Sequence, residues 1–174
     1  MTSEYRLRHA EPNDLATLIA IDDEASVLYT QAGLKLELAH NHPFVLAEAE
    51  RWAKAITNDW VTLAVDQNDA PVGFSVCGLV DNQPYLDQLS VAPKHMRQGI
   101  GTTLLMKAIE WSASDPLWLT TYASIDWNQP FYERYGFVAV PEPLCGPQLR
   151  NILHQQRSAL PAPEDRVAMV RYGG

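Results

Sequence analysis

A mixed α/β sheet, mostly antiparallel with one parallel pair and helices on both faces, is the fold this 174-residue sequence predicts. Three observations carry it. Val61 to Val65, Val72 to Val80 and Tyr85 to Val91 are β-branched and aromatic runs separated by Asp/Asn/Gln clusters, the pattern of an antiparallel meander. Gly99 to Ala113 then carries Leu104, Leu105, Ala108 and Ile109 on one helical face, and Leu117 to Tyr122 is strand-like again, so a strand–helix–strand crossover implies two parallel strands. Further helical periodicity lies before and after this block.

In chain order, Tyr5 to Ala10 alternates apolar and charged residues as a strand does. Pro12, Asn13 and Asp14 are start signals for a helix with Leu15, Leu18, Ile19 and Ile21 inward. Asn41 to Phe44 form a break, after which Leu46, Ala49, Trp52, Ala53 and Ile56 share a helical face in Val45 to Ile56. Beyond the crossover, Asn128 to Tyr135 predicts a short helix ended by Gly136, and Phe137 to Val140 and Arg166 to Tyr172 predict two strands. The connection Pro141 to Asp165 contains a helical stretch, Gln148 to Arg157, and a Pro/Ala-rich loop. Neither an internal repeat nor a long linker divides the chain, so one domain over residues 1–174 is expected.

Thirteen Lys and Arg against 21 Asp and Glu leave a formal charge of -8, which disfavours a protein that neutralises nucleic-acid phosphates. An amine partner suits this field better, although an acidic excess also serves plain solubility. Only Cys77 and Cys145 occur, which argues against a disulfide framework. The opening MTSEYRLRHAEPNDL has no apolar leader core, and no run approaches the ~20 apolar residues of a membrane span, so a cytoplasmic, non-membrane protein is expected.

The segment LSVAPKHMRQGIGTTLL runs from a buried strand through a polar turn with two glycines into an amphipathic helix. Glycines let backbone approach a phosphate, the first N–H groups of a helix have no internal partner, and the helix dipole favours negative charge there. Lys94 and Arg97 add positive charge. A P-loop would need G-x-x-x-x-G-K-[ST], and a dinucleotide fold a third glycine and a later acid; neither pattern is present here. An isolated G-x-G more often marks a tight turn.

The context makes the turn specific. Arg8 to Leu15 reads R-x-A-x-x-x-D-L, Leu89 to Pro93 reads L-x-V-x-P, and Phe131 to Phe137 reads F-Y-E-R-Y-G-F. With a [QR]-x-x-G-x-[GA] turn at this place, the chain resembles the GNAT superfamily of acyl-CoA-dependent N-acetyltransferases over most of its length. Met96 stands where that family has Gln or Arg; since the family's contact there is mostly through backbone N–H groups, neighbouring Arg97 supplies the charge. The resemblance implies a GNAT-like fold whose parallel pair is splayed, with the pantetheine arm of acetyl-CoA filling the opening and the thioester near Leu89 and Tyr122. It assigns Leu89, Val91, Arg97, Gln98, Gly99, Ile100, Gly101, Thr102 and Asn128 to the cofactor, although Asn128 also suits a plain helix N-cap.

Acetyl transfer to an amine needs a group that takes the amine's proton and one that gives a proton to the departing thiolate. Tyr132, which matches the family's tyrosine near the sulfur, is the candidate acid; the plainer reading is a buried aromatic. Tyr85 and Asp87 share a strand face, and Asp87 is the candidate base, with Gln88 in its place if a bulge reverses the alternation and a water relay as a third route. Cys77 and Cys145 lack a neighbouring His that would activate an acyl-cysteine, and His40-x-His42 lacks further ligands, so no metal is expected. Acceptor contacts are sought at Asp22, Asp23, Glu24, Tyr29, Trp127 and the segment Pro141 to Asp165. The expected function is transfer of acetyl from acetyl-CoA to a primary amine of a small molecule or peptide within a ternary complex. The alternative is a non-catalytic acyl-CoA-binding module. A homodimer, common among such relatives, stays open.

Overall fold

The computed structural model describes residues 5–36 and 38–173; the first four residues of the opening segment MTSEYRLRHAEPNDL lie outside them. Seven strands, β1 (Arg6–His9), β2 (Val61–Val65), β3 (Pro71–Val80), β4 (Gln83–Val91), β5 (Leu117–Tyr122), β6 (Val138–Val140) and β7 (Arg166–Arg171), form one sheet in the order β1-β2-β3-β4-β5-β7-β6. The helices are α1 (Leu15–Gln31), α2 (Pro43–Thr57), α3 (Ile100–Ser112), α4 (Gln129–Glu133) and α5 (Pro147–Ala159). None of the described helices is long and apolar enough to cross a membrane.

The meander and the crossover are both present. β2, β3 and β4 pair antiparallel in succession, α3 returns the chain, and β5 lies parallel to β4. That parallel pair touches at a single register point, Tyr85 opposite Trp118. Beyond it β4 runs on to Val91 and β5 to Tyr122 unpaired with each other, so the sheet opens as a V whose walls carry backbone groups that have lost their neighbour. β5 is held firmly on its other edge, where Leu117 to Tyr122 pair antiparallel with Arg171 to Arg166.

Apolar faces fix the layers. On one side, Leu18 and Ile21 of α1 and Trp52, Ala55 and Ile56 of α2 pack on Val61, Leu63, Val65, Phe74 and Val76. Leu149 and Leu153 of α5 join the same side against Tyr85 and Ala168. On the other, Leu105 and Ala108 of α3 and Tyr132 of α4 pack against Leu86, Leu117, Leu119 and Met169.

Two expectations about α2 change. The helix begins at Pro43, because the His42 side chain accepts a hydrogen bond from the Phe44 amide and so caps it, a role His seldom fills. Its inward face is Trp52, Ala55 and Ile56, whereas Leu46 is 55% exposed and Ala53 is exposed. The physical reason for Leu46 is that the first turns of α2, Phe44 to Ala49, overhang a cavity; in the last two turns Trp52, Ala55 and Ile56 face the core and Ala53 points away from it.

Candidate functional site

The strand-to-helix turn is built by two left-handed residues. After Val91 the chain makes a short 3-10 turn at Pro93–His95, then Arg97 (φ +63°) and Gly99 (φ +83°) swing it into α3. Thr103 N–H donates to Gly99 O as an early helical bond, which leaves the amides of Ile100, Gly101 and Thr102 ahead of it without a helical carbonyl. Gly99 is required by its φ alone. Gly101 is different: a Cβ there would meet nothing nearer than Val91 Cγ2 at 3.9 Å, so no packing within the chain explains the missing side chain. The open backbone is what an incoming pyrophosphate needs. Lys94 and Arg97 are exposed beside it.

Other predicted cofactor residues are already engaged through their side chains. The Tyr5 hydroxyl bonds Gln98 Oε1 and lies 3.1 Å from His95 Nδ1, and Thr102 Oγ1 meets the Tyr135 hydroxyl at 3.0 Å. What Gln98 and Thr102 can offer a ligand is therefore chiefly backbone. Met96 packs with Val91, Ile100 and Leu104 and lines the cavity, an apolar wall where a polar side chain was the family expectation.

The opening between β4 and β5 leads into a cavity of about 470 Å³ on the α1, α2 and α5 face. A bulge shapes its wall. Val76 pairs with Gln88 and Cys77 with Leu86, so Asp87 has no partner in the ladder. Asp87 then reaches Arg51 on α2, with Oδ2 2.9 Å from Nε and Oδ1 3.1 Å from Nη2, while Gln88 Nε2 donates to Asp22 Oδ1 of α1 at 2.8 Å. Both residues considered for the base therefore line the cavity: alternation brings Tyr85 and Asp87 to it, and the bulge adds Gln88 without displacing Asp87. Ser90 Oγ completes the cluster with a 2.9 Å bond to Asp22 Oδ1.

The carboxylates crowd one another. Burial, with Asp23 and Asp87 nearby, raises Asp22 to about 6, against the hydrogen bond from Ser90 that favours its charge. Asp22 keeps some accessible surface because it faces the cavity. Glu48 of α2 is pushed up to about 8 by burial and then by Asp22 and Asp87. Among the described residues neither Asp22 nor Glu48 has an ion-pair partner; Arg51 is spent on Asp87.

A raised carboxylate binds its proton more tightly in the folded chain than in the unfolded one, so its contribution is present below the unfolded value and is lost as pH rises towards the folded one. Glu48→Gln is therefore expected to leave the melting temperature nearly unchanged at pH 5 and to raise it at pH 9. Thermal denaturation at the two pH values checks this; equal shifts at both would mean that Glu48 carries no buried charge.

Tyr132 stands on the other side of the opening. It is buried between Phe131 and Phe137 and lines the cavity, and its hydroxyl has no hydrogen-bond partner among the described residues. Burial pushes its phenol above the usual range, so it stays protonated at neutral pH. Asn128 precedes α4 but does not cap it with its side chain; its amide meets the Tyr29 hydroxyl, with Nδ2 at 3.0 Å and Oδ1 at 3.2 Å. Leu89, Val91, Tyr122 and Trp127 also line the cavity.

Asp23 and Tyr29 line the cavity and Glu24 does not. Cys77 and Cys145 are buried free thiols away from its lining; burial pushes Cys77 up to about 12 and raises Cys145 as well, which keeps both in the unreactive form. Of the His40-x-His42 pair, His42 caps α2 and His40 lies at the cavity. Sequence reasoning missed Glu48, Arg51, Ser90 and Arg166. None carries a local signal: Glu48 and Arg51 read as the polar face of α2, and Ser90 and Arg166 as ordinary strand residues.

Residues 28–137 match the model of the acetyltransferase (GNAT) family. The chain is 30% identical over 145 residues to an uncharacterized N-acetyltransferase of Escherichia coli, YafP, covering 80% of this chain and 85% of that protein. Its fold is similar to that of the PaiA N-acetyltransferase of Thermoplasma acidophilum solved in complex with coenzyme A, with a TM-score of 0.61, 17% identity, and coverage of 97% of this chain and 99% of the other. N-acetylglutamate synthase of Neisseria gonorrhoeae, solved with coenzyme A and N-acetyl-glutamate, superposes over all of this chain and 36% of its own, with a TM-score of 0.66 and 15% identity. The seven-stranded mixed sheet with its one parallel pair, the open-backboned turn before α3 and the family match lead to one conclusion: the chain belongs to the GNAT acetyltransferase family.

Proposed function

We propose that the protein is an N-acetyltransferase that moves the acetyl group of acetyl-CoA to a primary amine held in the cavity between α1, α2 and β4. The observation that carries this reading is the single-point pairing of β4 and β5: it leaves an opening with the phosphate turn at its mouth, Tyr132 on one side and carboxylates on the other.

The amides of Ile100, Gly101 and Thr102, with Arg97, hold the pyrophosphate, and the unpaired edges of β4 near Leu89 and Val91 receive the pantetheine arm. Asn128, anchored to Tyr29, contributes to the same wall. Acetyl-CoA supplies an acetyl group activated as a thioester. On the acceptor side, Asp22 attracts the ammonium form of the amine and Asp87, fixed by Arg51 at two points, takes its proton. The C–N bond forms as the C–S bond breaks, and Tyr132 donates its proton to the sulfur. Burial keeps the phenol protonated before transfer, as a donor must be, and the developing thiolate beside it supplies the drive for the proton to leave. No cysteine takes part, and one domain performs the whole reaction.

Release of free thiol from acetyl-CoA, measured against polyamines, aminoglycosides, amino acids and Lys-containing peptides with a no-acceptor blank, tests this. Acceptor-dependent release by one chemical class is the expected outcome. Acetyl-CoA binding with release at the level of the blank for every class would instead favour a non-catalytic acyl-CoA-binding module.

A further inference from the structure

The cavity wall holds a second unmatched charge, of the opposite sign to the carboxylates. Arg166, the first residue of β7, is 8% exposed and lines the cavity beside Tyr122 and Thr120. Its Nη2 donates to Thr120 Oγ1 at 3.1 Å and to Gln156 Oε1 at 2.9 Å, and its Cζ sits 4.6 Å from the centre of the Tyr122 ring. Its Nε is enclosed and without a partner, and its Nη1 donates to no described residue. Among the described residues no carboxylate pairs with it. Burial pulls its pKa below the ordinary arginine value, with nearby tyrosines acting against that pull.

A buried guanidinium without a counter-ion costs several kcal/mol by desolvation, and although two charge-assisted hydrogen bonds and a ring contact offset part of this, the enclosed Nε stays unsatisfied. A purely structural role would be filled at less cost by a neutral side chain. Asp22 is the complementary case elsewhere in the same cavity, a carboxylate without an ion-pair partner among the described residues, with the acid Glu48 in the same lining. One small molecule that brings an ammonium to the acids and an anion to Arg166 would match both. The phosphates of the acyl donor do not fill this role, because their site is the turn at Gly99 and Gly101 at the start of α3.

We infer that Arg166 is the specificity-determining residue of the acceptor site and binds a carboxylate, so that the acceptor is a zwitterionic amine of the amino-acid class rather than a simple amine or polyamine. This rests on the transferase function proposed for the site as regards the reaction, but not as regards the binding. Planarity and fixed donors make arginine suited to a carboxylate, and charge-assisted hydrogen bonds of this kind are worth about 1.5–3 kcal/mol, or roughly 10- to 100-fold in affinity.

The test uses amines in pairs that differ by one carboxylate: lysine with cadaverine, alanine with ethylamine, phenylalanine with phenethylamine. KM and kcat for each are measured on the wild type, Arg166→Met and Arg166→Lys, alongside the melting temperature with each compound and no acetyl-CoA. In at least one pair the carboxylated member is expected to have a KM about 10- to 100-fold lower, an advantage that Arg166→Met removes and Arg166→Lys partly restores. KM for acetyl-CoA should not move.

The inference is overturned if the members of every pair are used equally, if the amines without a carboxylate are preferred, or if Arg166→Met lowers kcat for both members alike. Should no amine accept acetyl, the transferase reading fails and the melting data decide the binding inference separately. Stabilisation of the wild type, but not of Arg166→Met, by a carboxylated amine upholds it, and stabilisation by none overturns it.

Discussion

Tyr132→Phe is expected to lower kcat by about 10²- to 10⁴-fold, the usual contribution of a positioned general acid, while the KM for acetyl-CoA stays within about twofold. The substitution removes one atom. Because the hydroxyl has no hydrogen-bond partner among the described residues, its loss breaks no bond of the fold, and the ring keeps its contacts with Phe131 and Phe137. The melting temperature should therefore stay the same or rise slightly, since a buried polar group is gone. Steady-state kinetics with the preferred acceptor, paired with thermal denaturation, separate the two roles. Unchanged kcat would make Tyr132 a core aromatic and leave the departing thiolate without a protein acid.

The second large effect is expected at the phosphate turn. Gly101→Val attaches a side chain whose Cβ meets nothing nearer than Val91 Cγ2 at 3.9 Å, so the branch point fits and folding should change little. Valine is also no worse than glycine in a helix, which removes a propensity penalty. The new methyl groups would stand over the helix N-terminus proposed to receive the pyrophosphate, and the Kd for acetyl-CoA should rise by about 100-fold or more, the loss expected when several charge-assisted bonds are pushed apart. Calorimetric titration with acetyl-CoA and a melting curve check both halves. Gly99→Val should differ in kind, because φ of +83° costs a side-chain-bearing residue about 1–2 kcal/mol of stability as well. Tight acetyl-CoA binding by the Gly101 variant would move the phosphates elsewhere.

How much of the molecule is legible in its sequence depends on the range of the interaction that creates each feature. The meander, the crossover and α3 are readable because strand alternation and helix periodicity are local records of which face is buried. The turn at Gly99 and Gly101 and the helix around Tyr132 are readable for a related reason: each packs its chemistry into a few consecutive residues. Asp87 could be placed on the cavity face by the period of two. The bulge that brings Gln88 beside it is a property of the β3–β4 register and has no mark in β4 alone.

The acceptor wall is much less visible. Asp22 reads as one of three consecutive helix acids, and nothing local distinguishes it from exposed Glu24; only the approach of Gln88 and Ser90 makes it a buried carboxylate. Glu48 and Arg51 look like the solvated side of α2 because the helix pattern does not reveal that its first turns cover a cavity instead of a core. Leu46 is misplaced for the same reason. Arg166 opens a strand, where a charged residue is ordinary, and its enclosure without an ion-pair partner among the described residues emerges only when β7, β5 and α5 come together.

Direct transfer is tested most squarely by following isotope-labelled acetyl from acetyl-CoA in a rapid-quench experiment with the best acceptor, sampling both the amine and the intact protein. The label is predicted to appear on the amine nitrogen only when acetyl-CoA and acceptor are present together, with none retained on the protein at any time, as expected for attack within a ternary complex while Cys77 and Cys145 stay buried and protonated. Label held covalently by the protein before it reaches the amine, or no labelled amine from any acceptor that binds, would contradict it.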